Sequence, residues 1–242
     1  MSNSLNDQKK RWARGFRDAN SGRALRGFDL ETEVLLSYGI PKSLASKTLD
    51  GISPANEKQL TVMNRMYDMI NDWRNTPLTM IVSGGNGTGK SLMGAALIHT
   101  LALMAVCGNC RDLNPRFTDE AGMTMRVSGF DNTSSFTYYT KTVGVLVVDE
   151  FAMTQWSATD KKRNEQILGI RFGNNLKTVL LTNRTSDELF GSNGSEPILS
   201  SQLRSRFGSG YCIELNGPDY RRNKEALTRA LESGGQADDW LF

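Results

Sequence analysis

The chain has 242 residues, 29 of them basic and 26 acidic, with 38% hydrophobic residues, enough to bury one full α/β core with a small appendage. No apolar run approaches membrane-spanning length and the polar N-terminus has no signal-peptide core, so a cytoplasmic protein with no membrane partner is expected. The three cysteines, in a chain of that kind, argue against a disulfide framework.

The first 27 residues carry Lys9, Lys10, Arg11, Arg14, Arg17, Arg23 and Arg26 against Asp7 and Asp18. This basic arm suits nucleic acid or an acidic partner, and equally a solvated helix. Leu5, Trp12 and Phe16 share a helical face. Asp29 to Tyr38 spaces Leu30, Val34 and Leu35 as a helix would, ended by Gly39 and Pro41. Residues 1–50 thus read as a helical N-terminal module, which either packs on the main domain or offers an apolar face to a partner. Ser53-Pro54 reads as a helix start, and the helix runs to about Trp73 with Leu60, Met63, Tyr67 and Ile70 on one face.

Leu78 to Val82 reads as a short buried strand. A helix opens at Ser91, just after a glycine-rich loop. Between 107 and 142 the pattern is weak: Thr124 to Ser128 is read as a strand, and the aromatic-hydroxyl stretch Phe130 to Tyr139 either stacks on single-stranded bases or fills a packed face. Val143 to Val148 is nearly all apolar, as a strand buried on both faces should be. A helix over about Asp160 to Phe172 and a strand over Thr178 to Thr182 follow, and alternating strands and helices imply a parallel sheet. Leu199 to Gly208 reads as a short capped helix. A last helix reaches Glu232, and residues 233–242 form a flexible joint ending Asp238-Asp239-Trp240-Leu241-Phe242. That acidic-aromatic tail either docks on another protein or folds back.

The chemistry is concentrated in two places. Gly84-Gly85-Asn86-Gly87-Thr88-Gly89-Lys90-Ser91 is a complete G-x-x-x-x-G-K-[ST] phosphate loop between a strand and a helix. Backbone N–H groups of such a nest face phosphates at a helix N-terminus. Lys90 is expected on the β- and γ-phosphates of ATP and the Ser91 hydroxyl on Mg²⁺. The strand at 143–148 ends in Asp149, placed to hold Mg²⁺, and Glu150, placed to activate water. Two adjacent acids at that position favour hydrolysis over plain nucleotide binding. Cys107-x-x-Cys110 with His99 upstream has a zinc reading, but no second close ligand pair, so ordinary reduced thiols are favoured.

Asn183, closing the strand at 178–182, fits the polar sensor of AAA+ ATPases, with a turn-capping asparagine as the alternative. Arg206 is the candidate arginine finger for a neighbouring subunit's ATP and Arg204 a weaker one; both also suit a helix C-terminus. The phosphate loop, Asp149-Glu150, Leu181-Thr182-Asn183, Ser205-Arg206-Phe207 and Asp219-Tyr220-Arg221-Arg222 occur in an order that resembles DnaC-type helicase loaders, in the AAA+ clade that also holds the IstB transposition ATPases. The resemblance covers about residues 50–222. Loaders usually follow the two acids with an aliphatic residue and glycine, where this chain has Phe151-Ala152.

The resemblance implies a P-loop AAA+ three-layer αβα domain over 51–232, with a parallel sheet and little or no lid. It implies Arg221 as a second sensor contacting phosphate from its own subunit, and an N-terminal module that grips a DnaB-type replicative helicase for delivery onto single-stranded DNA. Self-association would bring Arg206 to the next subunit. Two other functions stand beside this one: an IstB-like transposition regulator binding duplex DNA and a transposase, and a nucleotide-gated helicase-binding module with little turnover.

Overall fold

An apolar strand with side chains on both faces needs a layer of helices on each side, and three strands here are of that kind. The structure, a computed structural model, describes residues 32–45, 47–72, 76–106, 113–128, 132–153, 156–191, 196–217 and 219–220. Within these, one five-stranded parallel sheet runs in the order β2-β3-β4-β1-β5. Here β1 is Thr79–Gly84, β2 Arg116–Asp119, β3 Val145–Asp149, β4 Lys177–Thr182 and β5 Tyr211–Leu215. The helices are α1 Thr32–Ser37, α2 Glu57–Asn71, α3 Lys90–Val106, α4 Glu120–Ser128, α5 Asn132–Thr137, α6 Ala158–Gly173, α7 Ser186–Phe190 and α8 Ser201–Gly208.

Alternation along the strands divides the core. Met80, Val82, Val145, Val147, Val179 and Leu181 face one side, where α2 and α3 cover them. Ile81, Leu146, Val148 and Leu180 face the other, beneath α4, α6 and α8. This is the three-layer αβα domain expected from the sequence. The central helix α3 is buried along most of its length. At Gly94 it lies so close to the sheet that a Cβ would meet Leu181 Cδ1 at 2.6 Å and Val147 Cγ1 at 2.9 Å.

Several expectations change. Residues 32–52 do not stand apart: Leu35, Ile40, Leu49 and Ile52 join the core under α2 and α3. Their backbone is tied in as well, with Phe117 N–H donating to Tyr38 O at 2.9 Å, Leu49 N–H to Thr100 Oγ1 at 3.0 Å and Arg116 Nη1 to Ser37 O at 2.6 Å. Of the two outcomes open for that stretch, packing on the main domain is the one found; residues 1–31 lie outside the described residues. Helix α2 starts at Glu57, because Asn56 rather than Ser53 is its N-cap, accepting from Gln59 N–H at 2.9 Å. The expected strand at 124–128 is the second half of helix α4. Asp119 Oδ1 accepts from Gly122 N–H at 2.6 Å, which starts the helix, and Glu120, Met123 and Val127 form its buried face. The stretch 136–139 fills a packed face: Tyr139 is fully buried, and Phe136 and Tyr138 pack against the same cluster. Strands β2 and β5 were not read from the sequence.

Where the lower ends of β3 and β4 meet α6, one side chain makes the joint. Arg171 is fully buried and donates to Tyr139 O at 2.5 Å, Val143 O at 2.8 Å, Lys177 O at 2.6 Å and Thr178 Oγ1 at 3.0 Å. Burial pushes its guanidinium down to about 9, and the four acceptors keep it charged at neutral pH. Arg171→Met should destabilise the protein by about 3 kcal/mol or more, since it strands several buried acceptors at once; urea unfolding of the two proteins measures this.

Candidate functional site

The phosphate loop joins the end of β1 to the start of α3, so its N–H groups lie at a helix N-terminus on the carboxyl edge of the sheet. Lys90 is buried, and its ammonium donates to Gly84 O at 2.8 Å and Gly85 O at 2.7 Å. Thr88 Oγ1 donates to Gly85 O at 2.9 Å, closing the loop on itself. A brace comes from α2: buried Gln59 donates through Nε2 to Thr88 O at 3.0 Å and accepts from Ala55 N–H at 2.6 Å. Gln59 was not singled out in the sequence, where a polar residue in an amphipathic helix carries no signal.

Gly87 sits at φ 70°, where a side chain is strained. A Cβ there would also fall on the Asp219 carboxylate. The segment after β5 crosses the loop at this point, with Tyr220 N–H donating to Gly87 O at 3.1 Å and Asn56 Nδ2 donating to the Tyr220 hydroxyl at 3.1 Å.

The second half of the site stands at the ends of β3 and β4. Because β4 lies between β1 and β3, Asn183 emerges between the phosphate loop and the acids. Asn183 Nδ2 donates to Asn86 Oδ1 at 2.6 Å, which joins the proposed sensor to the loop directly. Asp149 is half-buried and its Oδ1 accepts from Glu150 N–H at 2.9 Å; Glu150 is exposed, at φ 53°. The turn beyond is locked to β4, with Phe151 N–H donating to Leu181 O at 2.9 Å and Thr182 Oγ1 to Phe151 O at 2.6 Å. After Asn183, Thr185 and Glu188 form a reciprocal cap that starts α7. The Thr185 N–H and the Arg184 guanidinium hold the Glu188 carboxyl below its ordinary range.

Arg206 is not in this group. It lies at the end of α8, which leads into the start of β5 and hence to the opposite edge of the sheet. Its Nη1 donates to Gly169 O at 3.0 Å, and its guanidinium stands 5.5 Å from the Phe172 ring centroid. Arg204 Nη1 donates to Phe190 O at 3.0 Å. Arg221, Cys107, Cys110 and the tail at 233–242 lie outside the described residues. His99 is buried, with Nδ1 3.1 Å from Lys47 O, where it fastens the 32–52 stretch to α3.

The donor set fits a nucleotide with Mg²⁺. The loop offers N–H groups and one buried ammonium to phosphate, with the Ser91 hydroxyl in the first turn of α3. Among the described residues no three His, Cys, Asp or Glu side chains cluster as a metal cage. Mg²⁺ does not need one, since it is commonly held by one or two carboxylates together with substrate phosphates.

No protein-family model matches the chain, and no curated protein matches it in sequence. Solved structures do match. The structure of DnaI superposes with a TM-score of 0.58 at 18% identity, covering 74% of this chain and 93% of that one. The DnaC helicase loader gives 0.52 at 18%, covering 73% and 100%. The fold is that of the AAA+ proteins. AMPPCP-bound DnaA from Aquifex aeolicus also shares it, with a TM-score of 0.59 at 14% identity, over 79% of this chain and 56% of that one. At these identities the likeness is one of fold, and it includes the helicase loader that the order of motifs resembles.

Gly87→Ala should weaken nucleotide binding by about tenfold or more, because the loop must leave its left-handed turn and push Asp219 aside. Titration with a fluorescent ATP analogue reads this directly, and binding within twofold of wild type would contradict the loop geometry described.

Proposed function

We propose that this protein is a Mg²⁺-dependent ATPase that assembles on a DnaB-type replicative helicase and delivers it to single-stranded DNA, with hydrolysis driving release. The observation that carries the reading is the convergence of the phosphate loop, Asp149-Glu150 and Asn183 on one sheet edge, sealed by the Asn183–Asn86 hydrogen bond. The likeness to DnaI and to the DnaC helicase loader supports the cellular role.

In this reading Lys90 leaves the Gly84 and Gly85 carbonyls for the β- and γ-phosphates, and the loop N–H groups hold the rest of the triphosphate. Ser91 and Asp149 would hold Mg²⁺, which when bound neutralises charge building on the phosphate oxygens. Glu150, exposed at the end of β3, accepts the proton of the attacking water. Asn183 keeps that water and the γ-phosphate in register with the loop through Asn86. Arg221 acts as a second sensor from the same chain. Arg206 cannot serve its own site, because it sits on the opposite edge of the sheet; a second copy would receive it. Trans-acting arginines of this type contribute on the order of 10³–10⁵ in rate.

Two experiments test this. Lys90→Ala and Arg206→Ala should each abolish turnover, the first by loss of binding and the second with binding retained. Mixing the two inactive proteins should restore part of the activity, because the Lys90→Ala chain still offers Arg206 to an intact loop; a mixture as inactive as its parts would remove Arg206 from the site. Light scattering of the protein with its host's replicative helicase and ATP should give a complex heavier than the helicase alone. Deleting residues 1–31, which spares the packed 32–52 stretch, should abolish that complex. No complex with any nucleotide would leave the ATPase and remove the loader, and preference for duplex DNA would then favour the transposition regulator.

A further inference from the structure

The turn after β3 holds two residues in the left-handed region, Glu150 at φ 53° and Ala152 at φ 58°, with fully buried Phe151 between them. Neither is glycine, and this backbone costs a residue with a Cβ about 1 kcal/mol or more.

The Ala152 backbone is gripped on both sides of its Cα. Its N–H donates to Glu120 Oε2 at 3.1 Å, and its C=O accepts from Arg184 Nε at 2.9 Å. Glu120 opens α4 and is 2% exposed. Its other oxygen, Oε1, accepts from Asn164 Nδ2 at 3.3 Å, and Asn164, fully buried on α6, accepts in turn from the Thr124 hydroxyl at 3.2 Å. Burying a carboxylate is expensive unless it is hydrogen-bonded, so a glutamate at this place needs a reason beyond packing. Arg184 comes from the other flank, directly after Asn183, and its Nη1 pairs with Glu188 at 3.0 Å. The helical layer of α4 and α6 and the β4–α7 junction therefore converge on the backbone of one residue, two positions from Glu150.

We propose that Glu120 and Arg184 are positioning residues that clamp the two peptides flanking the Ala152 Cα and so fix the direction in which Glu150 presents its carboxylate. The clamp stands on geometry alone; its consequence for rate rests on the ATPase reading above. Neither residue touches nucleotide in this account. Glu120 acts on the amide, Arg184 on the carbonyl, and the turn between them keeps its left-handed shape with a Cβ at both Glu150 and Ala152.

The test uses the full chain with Glu120→Ala, Glu120→Gln and Arg184→Ala. Residue-resolved amide exchange should be about tenfold or more faster at Ala152 in Glu120→Ala, while the amides of β1 and β4 exchange as in wild type. In the same variant kcat should fall by about tenfold to a hundredfold, the size expected for a misaimed group, with nucleotide affinity changed by less than about threefold. Glu120→Gln keeps an acceptor for the Ala152 N–H and should recover most of both losses. Arg184→Ala, whose side chain is partly exposed, should shift both readouts in the same direction by a smaller factor. Unchanged exchange at Ala152 in Glu120→Ala overturns the clamp. Faster exchange with undiminished kcat overturns the positioning role, as does a uniform loss of protection with no recovery in Glu120→Gln. A wild-type protein without turnover would sink the ATPase reading, and the exchange result would still decide the clamp.

Discussion

The site depends on the placement of β4 between β1 and β3. In parallel register Ser83 lies beside Thr182 and Val148 beside Leu180, so the three strands end within a residue or two of one another. The phosphate loop, Asn183 and the two acids therefore emerge along one short stretch of edge. The same alternation that fills the core holds this register. Val179 and Leu181 enter the layer under α3, and Leu180 enters the layer under α6. A slip of β4 by one residue would send each of these into the wrong layer and carry Asn183 away from Asn86. Core packing and site geometry are thus one constraint rather than two.

What the edge cannot supply comes from elsewhere in the fold. The loop's own glycines fold it, but its position is fixed by Gln59 on α2 and by the 219–220 segment across Gly87. The turn carrying Glu150 is fixed by β4 and by the Ala152 clamp. Arg206 is held on the far edge by Gly169 and Phe172, both on α6, the helix that also carries Asn164. In the proposed ATPase one helix therefore supports the water-activating turn of its own site and the arginine given to the next.

Much of this was legible in the residues themselves. The loop at 84–91 has fixed spacing, and the runs at 143–148 and 178–182 are too apolar for anything but strands buried on both faces. The missed elements failed for specific reasons. Strand β2 is four residues long and ends in an acid that caps the following helix, so no period of two develops. In β5, Tyr211 to Leu215, only Leu215 is buried, and an edge strand of that kind has little apolar pattern to read. Thr124 to Ser128 contains β-branched residues that suggested a strand, but its burial repeats at Glu120, Met123 and Val127, the spacing of a helix. The braces at Gln59 and Glu120 were invisible because a polar residue at a buried helical position looks, in sequence, like one on a wet face. The contacts that brace the site, Gln59 with Thr88 O and Glu120 with the Ala152 N–H, join groups distant along the chain.

The central claim is that the edge formed by 84–91, 149–150 and 183 is a single nucleotide site. The most direct measurement is amide hydrogen exchange across the whole chain with increasing AMPPCP, in the presence and absence of Mg²⁺. Saturation at one nucleotide per chain, with protection gained together in 84–91 and around 149–153 and reinforced by Mg²⁺, is the result this account predicts. Protection confined to the loop, or falling on segments away from the carboxyl edge of the sheet, would contradict it.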